Sequence, residues 1–98
     1  MRVLMTVEMD TEKTNHTITD GTIEKVMKES FDDIRPEAAY FATHDGRRTG
    51  YIVFDLAEPN DMPRVAEPFF QAFDARVEFS PAMDFADVRS GMAKYANH

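Results

Sequence analysis

The dipeptide Asp45-Gly46 constrains this 98-residue chain more than any other pair. It sits between two runs rich in aromatic and β-branched residues, Ala38 to Thr43 and Thr49 to Leu56. Two adjacent residues that tolerate positive φ favour a type I′ turn, whose twist matches that of paired strands. Such a turn also sets register. Tyr40 then stands opposite Tyr51 and Phe41 opposite Gly50. One face of the hairpin carries Ala39, Phe41, Ile52, Phe54 and Leu56. The other carries Ala38, Tyr40, Ala42, Thr49, Tyr51, Val53 and Asp55. A hairpin alone is marginal in water, so the rest of the chain must cover and extend it.

On the N-terminal side, residues 2–9 alternate, with Val3, Met5, Val7 and Met9 on one face and Arg2, Leu4, Thr6 and Glu8 on the other. Period two over eight residues is a half-buried strand. Residues 10–21 are polar and their conformation is open, a helix or a lid, with Gly21 suited to a left-handed helix end. From Thr22 the period becomes helical: Ile23, Val26, Met27, Phe31 and Ile34 form a stripe, and Pro36 stops the helix at Arg35. After the hairpin, Glu58 to Asp61 turn the chain. Met62, Val65, Ala66, Phe69 and Phe73 then form a second helical stripe, which Pro68 should kink or divide. Residues 75–80 alternate again. Asp84 caps a last helix whose inward residues are expected to be Phe85, Val88, Met92 and Tyr95.

The order is strand, helix, strand, strand, helix, strand, helix, in one domain spanning residues 1–98. The right-handed crossover rule applied to each strand-helix-strand unit interleaves them into an antiparallel sheet of order 4-1-3-2. This is an α+β fold, the ferredoxin-like βαββαβ sandwich with an extra C-terminal helix. Its expected core includes Val3, Met5, Val7, Phe41, Ile52, Phe54, Val77 and Phe79.

Charge and composition narrow the function. A net charge of -7 leaves no basic patch to neutralise phosphates, which argues against nucleic-acid or anionic-membrane partners. The absence of cysteine excludes disulfides and thiolate chemistry. The first ten residues are too short and too alternating for a signal peptide, and no run reaches the roughly 20 apolar residues of a membrane span. The expected location is the cytoplasm. No cofactor motif and no metal-ligand spacing is present.

The sheet face away from the two long helices is mixed. Leu4, Ala38, Tyr40, Ala42, Tyr51 and Val53 form an apolar row on it, with Glu8, Asp55, Arg76, Glu78 and Ser80 around them. A row of this size marks an interaction site, and a two-fold pairing with a second copy would cover it. A solvated sheet face is the ordinary alternative. Glu8 and Arg76 are placed to pair across neighbouring strands.

Several stretches, Arg35-Pro36-Glu37-Ala38-Ala39-Tyr40-Phe41, Gly46-Arg47-Arg48-Thr49, Val53-Phe54-Asp55-Leu56, Ala66-Glu67-Pro68-Phe69 and Pro81-Ala82-Met83, resemble a group of small uncharacterised bacterial proteins. That group is similar in build to the dimeric α/β barrel superfamily, which includes antibiotic-biosynthesis monooxygenases and muconolactone isomerases. The resemblance implies a face-to-face homodimer. It implies no particular reaction, because fold does not carry activity.

Five residues are candidates for ligand binding. His16 lies in the polar segment 10–21, and His44 flanks the hairpin turn; each is more ordinary as a solvated side chain. His98 is terminal. Tyr40 and Tyr51 could present hydroxyls to a ligand, or simply pack across strands. Arg47 and Arg48 are adjacent in a strand and so point to opposite faces; Arg48 shares the helix-covered face and could edge a pocket. Three functions follow. The first is a homodimer that binds a small apolar or aromatic molecule between helices and sheet. The second is a cofactor-independent monooxygenase or isomerase in which His16 or Tyr40 relays a proton. The third is a non-enzymatic protein-interaction module.

Overall fold

A computed structural model describes residues 1–97; His98 lies outside the described residues. Strand β1 (Arg2–Glu8) buries Val3, Met5 and Val7 and leaves the residues between them half-buried, as its alternation requires. The polar segment after it is a full helix, α1 (Thr11–Asp20). The Asp10 side chain accepts from the Lys13 amide at 2.9 Å to start it, and Gly21, at φ 83°, ends it. Helix α1 buries Thr14 and Thr17 against its neighbours, and Thr17 donates its hydroxyl to the Thr14 carbonyl at 2.6 Å. Sequence periodicity could not find this helix, because its buried face is built of threonine.

Helix α2 (Thr22–Ile34) begins immediately after Gly21 and stops at Arg35, held at φ 45° with its amide bonded to the Phe31 carbonyl. Strands β2 (Ala38–His44) and β3 (Arg47–Asp55) form the hairpin. Asp45 and Gly46 have φ of 51° and 76°, the double positive φ of a type I′ turn, and Tyr40 pairs with Tyr51 and Phe41 with Gly50. A short 3-10 turn at Pro59–Asp61 leads into helix α3 (Met62–Phe73), which Pro68 does not divide. Strand β4 (Arg76–Pro81) and helix α4 (Phe85–Ala96) complete the chain.

The sheet is antiparallel in the order β2-β3-β1-β4, the interleaved arrangement expected from the crossover rule. Helices α2 and α3 pack on one face. Their shared core contains Met5, Met9, Ile52, Phe54, Phe69 and Phe73, each 2% exposed or less. Phe54 meets Phe79 edge-on with ring centroids 6.4 Å apart. Burying each such side chain stabilises the fold by about 1.5–3 kcal/mol.

Three expectations need correction. Phe41 is not a core residue: it is 54% exposed, because β2 is the sheet edge, and Phe31 of α2 lies 6.4 Å away between ring centroids. Its ring instead covers Gly50, whose missing Cβ would lie 3.0 Å from the Phe41 ring edge. Thr49 is only 1% exposed, flanked by Ala42 and Glu8 on the two adjoining strands and with its hydroxyl donating to the Arg47 carbonyl. Finally, Phe85, Val88, Met92 and Tyr95 do not point into a core. All four are exposed, from 39% to 77%, because α4 leaves the body of the protein. The resulting shape is elongated, 55 × 27 × 18 Å.

Candidate functional site

Helix α2 has the apolar stripe of a core helix but no fully buried residue. Its stripe is only half-covered because the edge strand beneath it offers Ala39 and the displaced Phe41 where a central strand would offer larger buried groups. The gap is a groove of about 530 Å³ between the first turns of α2 and the β2–β3 hairpin, within the size range of small-molecule sites. Met9, Ile23, Met27 and Phe41 give it apolar walls. Ala42 and Thr43 of the edge strand close one side, so the groove wraps the sheet edge.

Its polar groups are few: Glu24, Thr43, Thr49 and Arg48. Arg48 is the decisive one. Its Nη2 donates to Asn15 Oδ1 of α1 at 2.9 Å, which fixes the guanidinium plane. Its Nη1 is buried and has no protein acceptor. A buried donor without a partner costs about 1–3 kcal/mol. A guanidinium has five N–H donors in a rigid fork, and the group that best matches two of them is a carboxylate.

The other candidate residues are elsewhere. Tyr40 and Tyr51 face each other on the open side of the sheet, Tyr40 being 73% exposed. His44 is also on that side, with Nε2 3.3 Å from Asp45 Oδ2, at the edge of a small polar depression that includes Thr6, Glu8, Arg76 and Glu78. Glu8 and Arg76 are register partners across β1 and β4, yet no ion pair joins them among the described residues. His16 is exposed on α1, one turn before Asp20, whose carboxyl is held below its ordinary range chiefly by hydrogen bonding from Thr22. Thus Arg48 alone of the five candidates lines the groove, while Tyr40, Tyr51 and His44 share the opposite face. Asn15, which orients Arg48, had no signal in the sequence. Among the described residues no group of three or more His, Asp or Glu is placed to hold a metal ion, and no helix is long and apolar enough to cross a membrane.

A second polar cluster sits at the base of α4. Arg2 donates from Nε to Glu37 at 2.8 Å and from Nη1 to Asp87 at 3.2 Å, with Asp84 at 3.6 Å. Asp84 accepts from the Asp87 amide and the Asp87 side chain accepts from the Asp84 amide, a reciprocal cap. The Asp87 amide is the main reason the Asp84 carboxyl lies below its ordinary range.

No protein-family model matches this chain, and no curated protein matches it. In structure it is similar to the de novo designed protein Ferredog-Diesel, with a TM-score of 0.50 and 8% identity over 83% of this chain and 85% of that one. At that identity the likeness concerns the fold alone: an α+β domain whose four-stranded antiparallel sheet has the ferredoxin-like order.

Proposed function

We propose that this protein is a homodimeric small-molecule-binding protein of the dimeric α/β barrel type, and that its ligand is a small apolar or aromatic carboxylate. The observation that carries the reading is the unpartnered Nη1 of Arg48 in an otherwise apolar groove. The ligand's body lies against Met9, Ile23, Met27 and Phe41, and its carboxylate completes the guanidinium fork. The homodimer is supported by the open face, where Tyr40 is largely exposed beside half-buried Leu4, Tyr51 and Val53. The resemblance of the hairpin and flanking stretches to small uncharacterised proteins similar in build to the dimeric α/β barrel superfamily is in keeping with the homodimer and says nothing of the ligand. The monooxygenase or isomerase reading has less support, since His16 and Tyr40, its proposed proton carriers, do not line the groove.

The test uses 8-anilinonaphthalene-1-sulfonate as a fluorescent probe of the groove, displaced by benzoate or by the neutral benzamide. Benzoate is expected to compete at least about 10-fold better, the scale of a hydrogen bond to a charged group, and Arg48→Leu to erase the difference. Equal displacement by acid and amide in the wild type would overturn the carboxylate reading. Probe binding that ignores both Arg48→Leu and Met27→Asp would overturn the site.

A further inference from the structure

Gly50 lies buried in the middle of β3, among residues that favour a strand far more than glycine does. Glycine inside a strand loses more freedom on folding than other residues and packs no side chain, and it marks a place where another group comes close. The group here is an aromatic ring. A Cβ on Gly50 would lie 3.0 Å from Cε1 and 3.4 Å from Cδ1 of Phe41, its register partner on β2. The Phe41 ring therefore leans across the hairpin into space that a side chain at position 50 would take. Phe31 of α2 flanks it, with the two ring planes 33° apart. This placement does not bury the ring, which stays 54% exposed and lines the groove. Phe41 is thus an aromatic wall, set in position from the sheet side and presented to the cavity.

Two other features of the groove suit a ring. Met9 and Met27 line it, and thioether sulfur makes favourable contacts with aromatic rings. Arg48 stands opposite Thr43, two residues along β2 from Phe41, so Phe41 and Arg48 are diagonal neighbours on the helix-side face. Such positions are about 7–8 Å apart, within reach of aromatic and long side chains. One short molecule can meet both.

We propose that Phe41, held over Gly50, is the specificity-determining residue of the groove and selects a planar aromatic carboxylate over a saturated one of the same size. The inference rests on the reading of Arg48 as the carboxylate anchor. The ligand's ring meets Phe41 offset or edge-on, the arrangements that aromatic pairs prefer, and gains an attraction beyond area burial. A saturated ring gains the area term alone.

The test compares benzoate with cyclohexanecarboxylate as displacers of 8-anilinonaphthalene-1-sulfonate. Both are anionic at neutral pH, and the saturated acid has the larger apolar surface, so burial alone favours it. The wild type is expected to prefer benzoate by about 3- to 10-fold in the ratio of inhibition constants, a quantity independent of probe affinity. Phe41→Leu should remove that preference, with far-UV circular dichroism unchanged and each acid still ahead of its amide. Gly50→Ala, whose Cβ would displace the ring, should lower the ratio in the wild type but not in Phe41→Leu, because the two residues act as a unit. If the saturated acid binds as well as benzoate while both outcompete their amides, the aromatic inference is overturned and the carboxylate site stands. A preference that survives Phe41→Leu overturns the assignment to Phe41. If neither acid outcompetes its amide in the wild type, the carboxylate reading falls and this inference with it.

Discussion

Helices α3 and α4 are both 12 residues long and both carry an apolar stripe, yet they have opposite fates in this molecule. Helix α3 has no side-chain cap and carries Pro68 in its interior, yet it buries Val65, Ala66, Phe69 and Phe73. Helix α4 has the better local start, with its reciprocal Asp84–Asp87 cap, and buries nothing. Local signals start a helix, but packing supplies most of its stability. The difference teaches that an apolar stripe identifies a surface suited to burial without saying whether its own chain covers it.

This contrast can be broken most forcefully in the core. Phe69→Ala is expected to cost about 3–5 kcal/mol, read as a shift of the denaturant midpoint. The same truncation in α4, Phe85→Ala, should change it by less than about 0.5 kcal/mol, on chain too dilute to self-associate. A large loss from Phe85→Ala would mean that α4 packs on its own body.

Next comes the joint between α1 and α2. Gly21 sits at φ 83° with nothing within 4 Å of where a Cβ would be, so Gly21→Ala tests backbone strain without steric clash. The expected cost is about 1 kcal/mol in thermal unfolding. An unchanged melting temperature would show that the joint relaxes.

Smaller still is the loss of the α4 cap. Asp84→Ala is expected to speed amide exchange several-fold within α4 alone, leaving β1 and β3 protected. Uniform acceleration through the sheet would instead tie α4 to global stability.

The smallest effect is one of pH. The Asp87 amide lowers the Asp84 carboxyl below the ordinary carboxylate range. Its contribution is therefore complete above the unfolded value of about 3.9 and is lost as pH falls through the lower folded value. Helical signal from α4, followed by NMR, should fade below about pH 4 before that of α3. Simultaneous loss in both helices would contradict the assignment.

Much of this architecture was legible because it is written in short-range patterns. Asp45-Gly46 set the turn and register, alternation marked β1 and β4, and the 3.6 period marked α2 and α3. Helix α1 was illegible because Thr14 and Thr17 do the work of its buried face, and threonine does not register as apolar. The candidate site was legible only in part. Strand parity put Arg48 on the helix side, but its anchoring by Asn15 joins positions 33 residues apart. The half-covering of α2, which opens the groove, follows from where β2 falls in the sheet.

The sequence by itself determined every element except α1 and the short turn before α3, together with the hairpin register, the sheet order and the acidic, cysteine-free character of the chain. These depend on neighbours within a few residues, on strand parity and on simple chirality. Only the tertiary structure decided that Phe41 stands at an edge, that Arg48 is left with a buried unpartnered nitrogen, and that α4 stands away from the body. Those outcomes depend on which surfaces meet across the whole chain, and periodicity reports only that a side chain prefers to leave water.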